Sequence, residues 1–598
     1  MASPEERLEA LRQELSRREL DGFIVPSTDE HMSEYVGAYA RRLAWLTGFR
    51  GSAGTAVVLE HDAAIFVDAR YSLQVNDQIE PQCWVSHTIP QTSVCGWLCE
   101  HAYEGARIGY DPWVHSNAWA TATRTALAKR SVQLIAVDES PVDAIWRDRP
   151  SPSAAPLVAH PNELAGKSSA LKRREVAATL SLFKADVTLL TALDSIAWLF
   201  NVRGSDVSYT PVALAYALLH ADATADLFVA PEKMTPQVRV HLGPEVRLHS
   251  RADFSAYLQT LAHRKVLIDP QRAVAAIFRH LEESRAQIIE ARDPVVLPKA
   301  IKNTTEICGH KAAQARDAAA LARFLYWFSC DVPRGTVSEL SAAERLRAFR
   351  EESGLLRGLS FETISGFGAN SAVIHYGVSA ATDRRITSHS LYLVDSGAQY
   401  ADGTTDVTRT IAVGRPTAQM RDRFTRVLRG HIALARLVFP LGTRGGQLDA
   451  FARQYLWAIG LDYPHGTGHG VGSYLGVHEP PHRIISPQAF VGGGDEPLLP
   501  GMIVSNEPGY YKPGEYGMRL ENLMLVVERD IGGAEEKMLG FETLTFAPID
   551  RSLIAIEQLA PEERTWIDAY HAEVARIAAP QLQREAKRWL IDVTRPLG

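Results

Sequence analysis

Four carboxylates and one imidazole in the C-terminal half of the chain have the types and neighbours that could hold metal. Asp395 ends the apolar run Leu391-Tyr-Leu-Val394, and Asp406 lies eleven residues later, just before an apolar strand pattern at 407–413. His469 sits in His465-Gly-Thr-Gly-His-Gly-Val-Gly472. Glu507 follows Met502-Ile-Val-Ser-Asn506, and Glu521 lies within the apolar run 518–527. Acidic groups set against apolar strands are costly to bury unless they are paired or bind a cation. This set suits two divalent ions sharing bridging oxygens, and its oxygen-rich character favours manganese, cobalt or zinc over a thiolate-type site.

Taken singly, each residue also has a plainer reading. An Asp at a strand end is commonly a turn or cap residue, and a Glu inside a strand commonly faces solvent. The Gly-rich stretch could cradle phosphate, but it lacks the GK[ST] ending of a P-loop, and no clean GxGxxG follows a strand. His465 and His469 have the spacing of HExxH, yet no Glu follows His465, and Gly466 and Gly468 oppose the helix that would align both rings. No GxSxG is present, and Gly51-Ser-Ala-Gly54 has the wrong spacing for a nucleophile elbow.

The elements that must position these residues can be read around them. The chain has 598 residues, which at about 100–200 residues per domain predicts about three to five domains or one large catalytic unit with accessories. A hydrophobic share of 46% and a charged share of 22% exclude a mostly disordered chain, a collagen-like fibre and a disulfide scaffold. Lys and Arg number 63 against 70 Asp and Glu, a net charge of −7, so there is no basic footprint for nucleic acid or an anionic membrane. Five cysteines without a CxxC read as reduced thiols. The charged, helical N-terminus lacks the apolar core of a secretory signal, and no run reaches the roughly 18 apolar residues of a spanning helix. These readings place the chain in the cytoplasm.

Pro-rich breaks at 149–156 and 293–298 divide the chain into expected domains at 1–152, 153–302 and 303–598. Trp45-Leu-Thr-Gly-Phe-Arg-Gly-Ser52 and Trp198-Leu-Phe-Asn-Val-Arg-Gly-Ser205 share the pattern W-L-x3-R-G-S. Strand patterns at 22–25, 56–59 and 64–67, and at 187–190, 212–215 and 227–230, surround them. Helical patterns at 5–18, 171–183 and 252–263 alternate with these strands. Both pieces therefore read as α/β domains of one kind. The last piece reads as α+β with a mostly antiparallel sheet. Asn303 and Glu306 form a capping box for a helix at 304–327. Further helices are expected at 342–352, 418–438, 447–459, 561–578 and 581–591, with strands at 391–394, 408–413, 503–505 and 518–527. Turns are expected at Asp402-Gly403 and Pro513-Gly514.

In combination the motifs resemble a family. Val394-Asp-Ser-Gly-Ala-Gln-Tyr400, Thr405-Asp-Val-Thr-Arg-Thr410, His465-Gly-Thr-Gly-His-Gly470, Asn506-Glu-Pro-Gly-Tyr-Tyr511 and Arg519-Leu-Glu-Asn522 occur in the order seen in the pita-bread metallopeptidases. Within them the chain is similar to the long, three-domain form of the Xaa-Pro aminopeptidases. Glu30-His-Met-Ser-Glu-Tyr35, Phe49-Arg-Gly-Ser-Ala-Gly-Thr55, Val67-Asp-Ala-Arg-Tyr71 and Leu193-Asp-Ser-Ile-Ala-Trp-Leu-Phe-Asn201 extend the likeness over essentially the whole chain.

The resemblance implies two creatinase-N-like α/β domains followed by a pita-bread catalytic domain. It implies cleavage between an N-terminal residue and a penultimate proline by hydroxide held at two divalent ions, most often manganese. Asp395 would chelate one ion, Asp406 and Glu521 would bridge both, and His469 and Glu507 would complete the second. His375, His465 and His478 match histidines that line the family's site, with His375, His469 and His478 near the substrate. Glu507 is the expected proton shuttle. Arg70 matches an arginine that reaches toward the bound peptide. The family's long form is typically a homodimer. Departures are Ala69, where Gly is frequent, and extra residues around Gly492-Gly-Gly-Asp495, which bear on loop shape. A prolidase would use the same five ligands on dipeptides, but usually with one N-terminal domain. A non-catalytic pita-bread binding module or a creatinase-like hydrolase would lack the metal set.

Overall fold

The alternation of strands and helices in the first half of the chain resolves into two six-stranded sheets of one design. The computed structural model describes residues 3–387, 389–486 and 492–597, and the chain divides into two units, Met1–Val296 and Leu297–Gly598. In the first unit, β1 (Gly22–Pro26), β2 (Thr55–Leu59), β3 (Ala63–Asp68), β4 (Val85–Ile89), β5 (Arg107–Tyr110) and β6 (Gln133–Ala136) lie in the order β4-β3-β2-β1-β5-β6. The second sheet comprises β7 (Val187–Leu190), β8 (Ala215–His220), β9 (Ala225–Val229), β10 (Val246–Ser250), β11 (Lys265–Ile268) and β12 (Gln287–Glu290). Its order, β10-β9-β8-β7-β11-β12, is the same, and so is the sense of every pairing. The first three strands of each sheet form an antiparallel meander, and parallel strands extend it on both sides.

Helix α1 (Pro4–Arg17) opens the chain, and α2 (Arg42–Thr47) carries Trp45. After α3 (Ser169–Phe183), α4 (Leu193–Phe200) carries Trp198. The two copies of W-L-x3-R-G-S thus occupy equivalent places, between the first and second strands of each sheet. Both helices stop on a left-handed residue, Gly48 at φ +84° and Asn201 at φ +49°, residue types that tolerate that conformation. Trp45 stacks on Trp146 at 5.2 Å, and Trp198 lies under Lys172 Nζ at 4.1 Å. Arg203 closes α4 by donating to Ala197 O at 3.0 Å and Val202 O at 2.9 Å. These tryptophans and Arg203 are packing and capping residues.

Two expectations in this unit shift. The strand placed at 212–215 begins at Ala215, because the backbone before it is engaged by Asp206: Leu214 N donates to its carboxylate at 2.7 Å. The helix placed at 252–263 is a single turn and a half, Phe254–Leu258, between 3-10 segments.

In the second unit, α5 (Thr304–Asp331) begins at the expected capping box, with Thr305 N and Glu306 N donating to Asn303 Oδ1 at 2.9 and 3.1 Å. Then come α6 (Glu339–Glu351), β13 (Ile364–Phe367), β14 (Ser390–Ser396), β15 (Val407–Val413), α7 (Ala418–Ala435), β16 (Val438–Pro440) and α8 (Gly445–Trp457). They are followed by β17 (Gly468–Gly470), β18 (Glu479–Ile484), β19 (Ile503–Asn506), β20 (Gly509–Lys512), β21 (Tyr516–Arg519), β22 (Asn522–Arg529), β23 (Met538–Thr543), α9 (Pro561–Ala578) and α10 (Arg584–Val593). One sheet is β13-β14-β15, another β16-β23-β22-β19-β17-β18, and β20-β21 is a hairpin. Every pairing in these three is antiparallel. Phe424, Val427 and Leu428 of α7 meet Ile567 and Val574 of α9 in one buried cluster. Leu448 and Ala452 of α8 pack with Val504 of β19 and Met524 of β22 in another. Burying each large apolar side chain contributes about 1.5–3 kcal/mol, so these contacts help fix the helices against the sheets that carry the site.

The expected strand at 518–527 is in fact two strands. It breaks at Leu520 and Glu521, whose backbone N–H groups donate to Pro508 O and Thr408 O, both at 3.2 Å.

Candidate metal centre

The five expected side chains converge from five separate segments. Asp395 is near the end of β14 and is paired in register with Thr408 of β15. Asp406 immediately precedes β15. His469 is the middle residue of β17, where strand crowding dictates the flanking glycines: a Cβ on Gly468 would collide with the backbone oxygen of Ser505, and one on Gly470 with that of Glu479. Glu507 follows β19 and is held by its backbone N–H on Thr467 O at 2.8 Å. Glu521 occupies the break between β21 and β22.

Asp406, His469 and Glu521, all buried, offer ligand atoms that lie within 4.8 Å of one another. His469 Nε2 is 3.5 Å from Asp406 Oδ2 and 3.4 Å from Glu507 Oε1. The opposite ring nitrogen, Nδ1, is 3.0 Å from Gly470 O, a contact that fixes which nitrogen faces the carboxylates. Ser505 Oγ accepts from His469 N at 2.9 Å and donates to Glu507 Oε1 at 3.2 Å, so one hydroxyl aligns both residues.

The electrostatics of this group disfavour bare carboxylates. Burial, followed by Asp406, pushes Asp395 up to about 6 despite Arg519. Burial pushes Glu507 up to about 7, against the pull of His469 and Arg519. Burial and then the neighbouring carboxylates hold Glu521 well above the usual range. Burial opposes protonation of His469, but Asp406 and Glu507 outweigh it and raise the ring's pKa. Asp395 Oδ1 and Asp406 Oδ1 are buried with no hydrogen-bond partner. Bare buried oxygens facing like charges are unfavourable unless cations neutralise them, so the donor set fits divalent metal.

Sequence reasoning missed the residue that ties the group together. The buried Arg519 donates from Nη2 to Asp395 Oδ2 at 2.5 Å, from Nε to Thr408 Oγ1 at 3.1 Å and from Nη1 to Tyr511 OH at 2.6 Å. Thr408 Oγ1 passes the contact on to Glu521 Oε2 at 2.8 Å, and Tyr511 OH lies 2.9 Å from His465 Nε2. Arg519 and Glu521 are two residues apart, as same-face strand residues are, and that spacing was the available signal. Tyr511 reaches Arg519 only through the β20-β21 hairpin, which pairs Gly509 with Arg519.

The remaining expected residues fall as follows. His478 packs edge-on against His469, with ring centroids 4.4 Å apart. The next residue, Glu479, is buried on Lys299 at 2.9 Å and on Lys302. His375 is half-buried in the turn after β13, beside Ile374, whose carbonyl is 3.5 Å from Arg519 Nη2. Its other neighbour, Tyr376, donates to the buried Glu339 at 3.0 Å. Arg70 belongs to the first unit, where it pairs with Asp68 at 2.7 Å. In the Gly492–Asp495 segment, Gly493 O accepts from Arg483 N at 3.1 Å and Gly494 O from Gly446 N at 2.7 Å. Residues 487–491, just before it, lie outside the described residues.

Family models match along the chain. Two "Creatinase/Prolidase N-terminal domain" models match 7–145 and 148–306, "Metallopeptidase family M24" matches 309–528, and "C-terminal region of peptidase_M24" matches 537–597. A probable Xaa-Pro aminopeptidase P of Aspergillus niger is 38% identical, over 99% of this chain and 99% of its own length. The chain belongs to metallopeptidase family M24, in its Xaa-Pro aminopeptidase branch. Human Xaa-Pro aminopeptidase 2 is 37% identical to this M24 chain, over 99% of it and 88% of the human protein. The crystal structure of X-prolyl aminopeptidase from Caenorhabditis elegans, described as a cytosolic enzyme with a di-nuclear active site, superposes with a TM-score of 0.94. It covers 100% of both chains at 31% identity. The M24 chain is thus an enzyme of mixed α/β and α+β architecture, with two creatinase-type N-terminal domains ahead of its catalytic domain.

Proposed function

We propose that the protein is an Xaa-Pro aminopeptidase that hydrolyses the bond between an N-terminal residue and a penultimate proline. Full-length similarity to Xaa-Pro aminopeptidases supports this reading over a prolidase. The observation that carries the chemistry is the cluster of Asp406, His469 and Glu521, with Glu507 beside His469, Asp395 electrostatically coupled to Asp406, and buried carboxylate oxygens left bare. In this reading Asp395, Asp406 and Glu521 would hold one divalent ion, and Asp406, Glu521, His469 and Glu507 would hold the other. The oxygen-rich set favours manganese, with cobalt and zinc as alternatives. Two such ions, when bound, supply Lewis acidity and lower the pKa of water.

The chain's own residues would do the rest. A bond before proline is a tertiary amide with no N–H, so a site relying on that donor cannot select it. Glu507 is less enclosed than its partners, at 18% side-chain exposure, and would take a proton from the attacking water and return it to the proline nitrogen. His478 and His375 would donate to the carbonyl oxygen and the proline end. His465, fixed by Tyr511, would shape the pocket, and Arg70 would contact the peptide. The proposal includes a homodimer, a cytoplasmic location and domains at 1–152, 153–302 and 303–598, with no nucleic-acid or membrane partner. Among the described residues no helix is long and apolar enough to cross a membrane.

Product analysis on a panel of Xaa-Pro peptides, with and without manganese, tests this. Release of the first residue alone, silenced by chelator and restored by manganese, is expected. Glu507→Ala and Asp406→Ala should abolish turnover. Faster cleavage of dipeptides than of longer peptides would assign the chain to the prolidases instead.

A further inference from the structure

Helices α5 and α6 contribute a buried ion pair outside the ligand set. Asp317 of α5 and Arg350 of α6 have side-chain exposures of 2% and 0%. Arg350 Nε donates to Asp317 Oδ1 at 2.7 Å and Nη2 to Oδ2 at 3.0 Å. A buried pair of this kind is weak evidence for stability, because well-packed apolar residues often serve as well. What distinguishes it is where its remaining bonds go.

Arg350 Nη1 donates to Ser396 Oγ at 2.5 Å and to Gly397 O at 3.3 Å, and Nη2 donates to Ser396 O at 3.1 Å. All five guanidinium N–H groups are therefore engaged, three of them on the two residues that follow Asp395. Asp317 Oδ2 accepts from Thr405 Oγ1 at 3.0 Å, and Oδ1 accepts from Tyr400 OH at 3.1 Å. Thr405 precedes Asp406, and its hydroxyl also accepts from Ala398 N at 2.9 Å. The two arms touch here: a Cβ on Gly397 would collide with the carbonyl oxygen of Thr405.

We propose that the Asp317–Arg350 pair is a positioning device that clamps residues 396–397 to residue 405 and so fixes the separation of Asp395 and Asp406 for metal binding. The inference rests on the two-metal reading. Arg350 is suited to the task because its planar fork grips the 396–397 arm and, at the same time, Asp317, which holds Thr405, whereas a lysine ammonium carries the charge without that geometry.

The test is calorimetric titration of manganese into the metal-stripped full-length chain, with a thermal melt of each variant. The Asp317→Leu/Arg350→Met double variant removes both charges and leaves neither uncompensated. Thr405→Val removes the hydroxyl at nearly constant volume, and Thr405→Ser retains it. Partners that orient metal ligands typically change affinity by about 10- to 100-fold, and a loss of that size is expected in the double variant and in Thr405→Val. Thr405→Ser should bind as the wild type does. Folded variants that bind manganese as tightly as the wild type overturn the proposal. So does a Thr405→Ser chain as weak as Thr405→Val, since packing would then be the cause. If the double variant does not fold, the Thr405 pair still decides. A wild-type chain that takes up no manganese, cobalt or zinc overturns the metal reading itself, a result distinct from wild-type binding matched by the variants.

Discussion

One guanidinium decides which oxygens of the carboxylate cluster remain open. Arg519 occupies Asp395 Oδ2 and leaves Oδ1 bare, and through Thr408 it also orients Glu521. A cation placed this way limits repulsion among the acids while Asp395 Oδ1 stays unbonded. Arg519→Lys keeps the charge but cannot hold Asp395, Thr408 and Tyr511 together. We expect kcat/KM on an Xaa-Pro peptide to fall by about 10- to 100-fold, the usual effect of losing a residue that orients ligands. Arg519→Met leaves Asp395 buried without its partner, a change that typically costs about 3–5 kcal/mol, and its Tm should drop well below that of Arg519→Lys. His478 differs in kind. It abuts His469 without belonging to the carboxylate cluster, so His478→Ala should lower kcat and leave metal content intact. Metal lost from that variant on elemental analysis would make His478 a ligand instead.

Strand β17 shows how an element places a ligand. It lies between β19 and β18, so close to both that neither residue flanking His469 has room for a side chain. Gly468→Ala would drive a methyl into the backbone oxygen of Ser505, and overpacking of this sort costs about 1–3 kcal/mol. A lower Tm together with weaker manganese binding is expected, while Gly532→Ala, where a methyl meets nothing, should match the wild type. The same strand shows what could be read without coordinates. The order of the motifs, the apolar runs before Asp395 and Glu507 and the strand pattern after Asp406 were legible because they are local. The glycines around His469 read as a loop, since the crowding that requires them comes from residues 479 and 505. The break at Leu520 and Glu521 was hidden for a similar reason. The run 518–527 is apolar throughout, and only backbone bonds to Pro508 and Thr408 divide it. The Asp317–Arg350 clamp spans the helices expected at 304–327 and 342–352, and nothing in helical periodicity marks the distant residues it holds.

At the scale of the whole molecule, buried histidines contribute to how the fold responds to acid. In the first unit, burial lowers His31 and His115 to about 4, from an unfolded value near 6.5. Well above pH 6.5 both rings are neutral in either state, and their contribution to stability is complete. Between about 6.5 and 4 the unfolded chain binds protons that the native chain refuses, so stability falls as the pH falls. His115 isolates the effect. Its Nδ1 bonds to Asp111 O at 2.9 Å, its Nε2 is buried without a partner, and its ring stacks on Trp119 at 4.1 Å. Protonation would therefore add a charge with no acceptor waiting at Nε2. His115→Gln can keep the bond to Asp111 but cannot titrate. In melts of the full-length chain, the wild-type Tm should hold steady from pH 8 to 7 and then decline toward pH 5. The His115→Gln chain should start lower, having lost the stacked ring, and decline less over the same interval. Equal declines in the two proteins would show that this ring does not contribute to the acid response and that other groups govern it.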